Sequence, residues 1–169
     1  MKICILKETT QNEKRVALVP DVAKKLINDG FEVFIETGAG KQSDFSDEDY
    51  TGVGVTAAEA DKIIPNADII FSVKMPNIDS IKKMKAEACL IGLLNPYDNH
   101  EQLKALSENN VNAFSMELVP RSPRAQSMDV LSSQSNLAGY KAIVDSSSMF
   151  NRAMPMMMTA AGTIAPAKI

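Results

Sequence analysis

IIFSVKMPNIDSIKKMKAEACLIGLL, residues 69–94, carries the pattern that decides the fold. Its first five residues, Ile69–Val73, form an apolar run of strand length with aromatic and β-branched side chains. Asn77 then offers a helix cap, and Ile78, Ile81 and Met84 recur at helical spacing. A second apolar run, Ala88–Leu94, follows directly. Strand, helix, strand at this spacing is a crossover unit, and a crossover places its two strands parallel in one sheet.

The same unit extends to either side. Lys2–Leu6 and Glu32–Glu36 read as strands, with a helix between them over Pro20–Asp29. Pro20 suits a first helical turn, Val22, Ala23, Leu26 and Ile27 share one face, and Gly30 supplies a left-handed C-cap. Ser46-Asp47-Glu48-Asp49 has the form of a capping box opening a short acidic helix. Beyond Leu94, Leu103 and Leu106 mark a helix, and Asn112–Met116 reads as a fifth strand. The class expected is α/β: a Rossmann-like (flavodoxin-like) parallel sheet with helices on both faces.

After Glu117 the character changes. Residues 118–129 form a polar loop, and Val130–Phe150 reads as a long helix in which Gly139 costs about 1 kcal/mol relative to Ala. From Asn151 the periodicity dissolves into Met154, Met156, Met157 and Met158, and Pro166-Ala167-Lys168-Ile169 looks like the start of a strand. The organisation expected is an N-terminal α/β domain over 1–129 and a connecting helix with a Met-rich segment over 130–169. Methionines adapt to irregular apolar surfaces, so the cluster is read as packing against a second domain or another chain; ordinary core filling is the alternative.

The 169 residues suit one domain of ordinary size. A net charge of −3 removes the usual reason to expect nucleic-acid binding. Cys4 and Cys89 sit in apolar runs and read as buried, reduced thiols. Together with His100, the one histidine, they are too few for a zinc site, so no metal is expected. No apolar run approaches the ~18 residues of a membrane span, and Met1-Lys2-Ile3 leads straight into a strand. A cytoplasmic chain is expected, without signal peptide or transmembrane segment.

Gly38-Ala39-Gly40 invites comparison with a dinucleotide fingerprint, but Ser43 stands where its third glycine belongs and an acidic segment follows, so a tight turn is the preferred reading. Glu8 and Arg15 flank a polar loop after the first strand, and Lys74 ends the third, on the carboxyl rim where parallel sheets bind ligands. Arg15 is either an anion anchor or a surface arginine, and Lys74 on the same rim raises the first reading. The most informative stretch is Arg121-Ser122-Pro123-Arg124-Ala125-Gln126-Ser127-Met128-Asp129. Arg121, Gln126 and Asp129 have the donors and acceptors to hold a flat polar heterocycle bearing an amide, and none is an obvious nucleophile or base. Ser127 and Asp129 also suit helix capping before Val130, and both readings hold together.

At these residues the sequence resembles the alanine dehydrogenase and nicotinamide nucleotide transhydrogenase N-terminal domain family. The resemblance rests on Lys7-Glu8-Thr9 with Glu13-Lys14-Arg15-Val16-Ala17-Leu18-Val19-Pro20, on Glu36-Thr37-Gly38-Ala39-Gly40, and on Phe45-Ser46-Asp47-Glu48-Asp49-Tyr50. The ungapped run from Arg124-Ala125-Gln126-Ser127-Met128-Asp129 through Leu131-Ser132-Ser133-Gln134-Ser135-Asn136-Leu137-Ala138-Gly139-Tyr140 is similar to the proton-translocating transhydrogenases. This resemblance implies the NAD(H)-binding component of an enzyme that moves hydride between NADH and NADP⁺. It also implies NADP(H) on a partner component, coupling to proton movement through a membrane component, a homodimer, and a cytoplasmic location peripheral to the inner membrane. Arg121, Ser122, Gln126, Ser127, Met128, Asp129, Ser132 and Tyr140 would then bind the cofactor, with Gln126 and Asp129 the residues nearest the chemistry. The long helix would lead to a dinucleotide-binding module beginning after Ile169, and without it the chain is expected to bind NAD(H) weakly or not at all.

Two other functions compete. Alanine dehydrogenase chemistry would set Arg15 and Lys74 on the substrate carboxylate, but the histidine the resemblance implies after the fourth strand is replaced by Asn95 or Pro96, with His100 further on. A non-enzymatic dimerisation module, docking through its Met-rich tail, is the third.

Overall fold

Ile3, Ile5, Val33 and Ile35 turn to one side of the central sheet, while Cys4, Ile70 and Leu90 turn to the other, and all are buried. Such alternation with both sets buried is what a parallel sheet covered on two faces requires. The computed structural model describes residues 1–168, which form two compact units, 1–128 and 129 onward.

In the first unit the elements run β1 (Lys2–Ile5), α1 (Pro20–Asn28), β2 (Glu32–Glu36), α2 (Asp47–Thr51), β3 (Thr56–Ala58), α3 (Ala60–Ile63), β4 (Ile69–Lys74), α4 (Ile78–Lys83), β5 (Cys89–Leu93), α5 (His100–Glu108) and β6 (Asn112–Ser115). The strands stand in the order β3-β2-β1-β4-β5-β6 and all pairs are parallel. Leu18, Ala23, Tyr50 and Val55 pack one face, and Ile63, Ile64, Ile81, Met84 and Leu106 pack the other. Strand order reverses between β1 and β4, so their carboxyl ends part and leave the crevice in which doubly wound sheets hold ligands.

The caps foreseen are in place. Ser46 Oγ accepts the Asp49 N–H while Asp49 Oδ2 accepts the Ser46 N–H, and Asn77 Oδ1 accepts the Ser80 N–H at 2.8 Å. Gly30 ends α1 at φ +92° and Gly38 turns the chain at φ +73°. Three expectations need correction. There are six strands in this sheet, since β3 adds an outer edge beside β2; Thr-Ala-Ala lacks the large apolar residues by which a strand announces itself. Cys4 is fully buried, and burial pushes its thiol up to about 12, but Cys89 is only half-buried. Its face of β5, continued by Ile91 and the 56% exposed Phe114 on β6, lies away from the half of the sheet that α1 and α2 cover.

In the second unit α6 (Val130–Met149) forms as the pattern requires. The third correction falls here: the Met-rich segment, which shows no periodicity, folds back as a hairpin. Its strands are β7 (Met157–Thr159) and β8 (Gly162–Ile164), paired antiparallel, which Gly162 permits at φ +138°. No residue of α6 is buried, and Leu137, Tyr140, Met149 and Met158 are exposed. Pro166–Lys168 have no regular structure, and the last residue of the expected strand, Ile169, lies outside the described residues. Among the described residues no helix is long and apolar enough to cross a membrane.

Gly92 on β5 leaves no room for a side chain. A Cβ there would meet the Ser72 carbonyl oxygen at 2.4 Å, beside the register shift between β4 and β5. Because the obstacle is backbone it cannot swing away, so Gly92→Ala is expected to lower stability by about 1–3 kcal/mol. Urea unfolding of both chains checks this, and coincident midpoints would show that the strands can part at no cost.

Candidate functional site

The rim of the crevice is organised by a carboxylate. Glu8, two residues past Leu6, accepts the Val73 N–H on Oε1 at 2.6 Å and the Lys74 N–H on Oε2 at 3.1 Å. Burial raises its carboxyl above the usual glutamate range; these two N–H groups pull the other way, as Arg15 does, while Glu13 adds to the rise. Glu8, Ser72, Lys74 and Asn77 help line a cleft of about 100 Å³, and the buried Ser72 Oγ has no hydrogen-bond partner among the described residues.

Arg15 donates from Nε to Glu13 Oε1 at 2.8 Å and from Nη2 to Glu13 Oε2 at 2.7 Å. That two-point hydrogen bond holds the Glu13 carboxyl below the usual range. The guanidinium fork thus already grips a carboxylate of its own chain, which weakens the anion-anchor reading of Arg15.

Beyond β5 come Asn95, held at φ +43°, and Pro96, the two positions read against amino-acid oxidation. Asn95 Nδ2 donates to Asp98 Oδ2 at 2.7 Å, and Asn99 Nδ2 donates to the Leu94 and Asn95 carbonyls. His100 begins α5. The Asn95 N–H donates to Glu117 Oε1, a contact sequence reasoning missed. The available signal was an acidic residue set directly after the strand Asn112–Ser115. Burial raises the Glu117 carboxyl, but the backbone N–H groups around it and the nearby Ser115 hydroxyl outweigh that and hold it below the usual range.

The loop after β6 is a run of tight turns. Val119 N–H donates to the Met116 carbonyl, Ser122 to Pro120, Ala125 to Ser122, and Met128 to Ala125. Ala125 is the buried peg of this run, while Arg121, Gln126, Ser127 and Met128 are exposed and Ser122 is half-buried. The first unit therefore brings five of the sequence-derived site residues onto one loop.

The other three belong to the second unit. Asp129 caps α6, its Oδ1 accepting the Ser132 N–H at 3.0 Å and its Oδ2 the Ser132 hydroxyl at 2.6 Å. Capping is thus Asp129's role in this structure; Ser127 caps nothing. Tyr140 is exposed, eight residues beyond Ser132 along the helix, roughly 12 Å by helical rise.

The family described as alanine dehydrogenase/PNT, N-terminal domain, matches residues 4–138. The chain belongs to this family. It is 45% identical over 175 aligned residues to an NAD(P) transhydrogenase subunit alpha chain of Rhodospirillum rubrum, an alignment that takes in all of this chain and 46% of the relative. The crystal structure of transhydrogenase from Sinorhizobium meliloti superposes with a TM-score of 0.93 at 43% identity, over 99% of this chain and 50% of that one. An L-alanine dehydrogenase structure matches at 0.68 and 29% identity, over 73% of this chain and 34% of its own. Within the alanine dehydrogenase/PNT family the chain therefore stands nearer these transhydrogenases, and it spans about half the length of the two matched here.

The cap and any ligand role of Asp129 separate by substitution. Asp129→Ala is expected to cost about 1 kcal/mol and to lower helix content, whereas Asp129→Asn keeps an oxygen for the Ser132 N–H and changes both little. Far-UV circular dichroism across a urea series reads the difference, and equal loss in the two variants would contradict the capping role.

Proposed function

We propose that the chain is the N-terminal part of the NAD(H)-binding component of a proton-translocating NAD(P)⁺ transhydrogenase. In this reading residues 130–169 connect it to a dinucleotide-binding module, NADP(H) sits on a partner component, and a membrane component moves the proton. The assembly is a homodimer peripheral to the membrane on its cytoplasmic side.

The observation that carries the reading is the loop after β6. Arg121, Gln126 and Ser127 make no side-chain hydrogen bond among the described residues, although the backbone bearing them is pinned turn by turn. Rigid backbone with unengaged donors and acceptors fits the carboxamide of a nicotinamide ring. Bound NAD(H) supplies the hydride; the side chains supply orientation. Gln126 can both donate to and accept from the carboxamide, Arg121 can donate to its oxygen, and Asp129, Ser132 and Tyr140 complete the set in the family's pattern. Hydride passing directly between two rings needs proximity and alignment and no protein acid or base, which agrees with a loop whose one carboxylate, Asp129, is engaged in capping α6. Arg15 and Lys74 are then inherited positions no longer used in catalysis.

The alanine dehydrogenase reading is weaker because Asn95 cannot accept a proton and Arg15 is engaged by Glu13. A dimerisation module draws support from the exposed apolar side chains of α6 and the hairpin, and is compatible with the homodimer proposed.

Calorimetric titration of the chain with NADH, with NADPH as control, is the first test. No heat with either assigns the grip on the cofactor to the adjoining module; selective NADH binding shows that the loop suffices. In the assembled enzyme, Gln126→Asn and Asp129→Asn are expected to slow hydride transfer on the order of tenfold or more while changing NADH affinity by less than about threefold. Equal losses in rate and affinity, or alanine-dependent reduction of NAD⁺, would overturn the proposal.

A further inference from the structure

Glu117 lies in the turn Met116–Leu118 that leaves β6, and its Oε1 accepts the N–H of Asn95 from the neighbouring loop. Asn95 itself stands in the left-handed region, a conformation asparagine tolerates but that other contacts must hold. Asp98 and Asn99 grip it from its own loop, and Glu117 is the grip from outside.

Two further features set Glu117 apart. Its Oε2 is buried without a hydrogen-bond partner among the described residues, as is the Ser115 Oγ. The second feature is its place in the chain. From Met116 onward the loop is a succession of turns, closed at Val119, Ser122, Ala125 and Met128, and only Ala125 is buried among residues 119–128. In such a run the direction of every later residue is inherited from the root, and Glu117 is that root.

We propose that Glu117 is a positioning residue for hydride transfer: by clamping Asn95 it fixes the root of the loop that carries Arg121 and Gln126, and so fixes where those side chains stand. This role rests on the transhydrogenase reading above. Glu117 touches neither ring. It acts through backbone direction, and small errors at a root grow along the loop into displacements that hydride transfer does not tolerate.

The test uses the assembled enzyme with Glu117→Ala, Glu117→Gln and Glu117→Asp. Glutamine keeps a carbonyl oxygen at full reach for the Asn95 N–H, whereas aspartate keeps the charge and falls one methylene short. The role proposed therefore predicts near-normal transfer for Gln, within about threefold, and slowing of roughly ten- to a hundredfold for Asp and Ala. NADH affinity should change by less than about threefold in all three, and hydrogen exchange at the Asn95 amide should quicken in Asp and Ala only. If Ala does not fold, the Asp and Gln pair still decides.

A rate loss in Gln as large as in Asp would mean that charge and not reach matters, and would overturn the proposal. So would parallel loss of rate and NADH affinity, or unchanged rates throughout, and either leaves the transhydrogenase reading standing. Absence of hydride transfer in the unsubstituted assembly would instead sink that reading, and this role with it.

Discussion

Where β1 and β4 part, their ladder ends with the Leu6 N–H on the Phe71 carbonyl, and two N–H groups further along β4, those of Val73 and Lys74, go to the Glu8 carboxylate. That side chain continues the sheet beyond the point where backbone can. The reversal of strand order opens a crevice there, and a crevice between diverging strands exposes backbone donors that water or a ligand would otherwise take. Glu8 closes them from within. Its carboxylate is buried enough to have its proton affinity raised, and the rim it builds has a geometry that does not depend on a ligand.

The same device recurs at the next strand of the sheet. At the end of β5 the Asn95 N–H is taken by Glu117, again a carboxylate closely following a neighbouring strand. In both places an acidic side chain substitutes for a strand partner at the carboxyl edge. The two differ in electrostatic outcome. At Glu8 burial prevails and the carboxyl rises, whereas at Glu117 the surrounding donors prevail and it falls. The balance between burial and the neighbouring polar and charged groups, not burial alone, sets the sign.

Most of the α/β layout was legible in local sequence because it depends on local causes. Short apolar runs gave five strands, Asn77 and the Ser46–Asp49 pair gave helix starts, and Gly30 gave a stop. β3 was not legible, since Thr56-Ala57-Ala58 is a strand only by virtue of the β2 edge beside it. The hairpin in the Met-rich segment was missed because neither of its three-residue strands is long enough to establish an alternation. Cys89 misled because an apolar neighbourhood in sequence says which residues prefer burial, and not how far the helices reach across the sheet. At the site, the chemical kinds of Arg121, Gln126 and Asp129 could be read from the chain, but not that Arg15 would be paired two residues away by Glu13. A backbone turn makes that pairing, and local composition does not reveal it.

The contrast between the two halves of the rim bears on the chemistry. Near β1 and β4 two charged side chains are taken up within the chain: Glu8 on backbone, Arg15 on Glu13. Beyond β6 successive turns hold the backbone, and the side chains of Arg121, Gln126 and Ser127 make no hydrogen bond among the described residues. An oxidation of an amine would need the first half armed, with a free cation for the carboxylate and a base for the proton. Hydride exchange between two bound rings needs only the second, a stiff scaffold presenting a few oriented donors and acceptors. Here Arg15 is paired with Glu13, and Asn95, which has no titratable group, is held by Asp98 and Glu117.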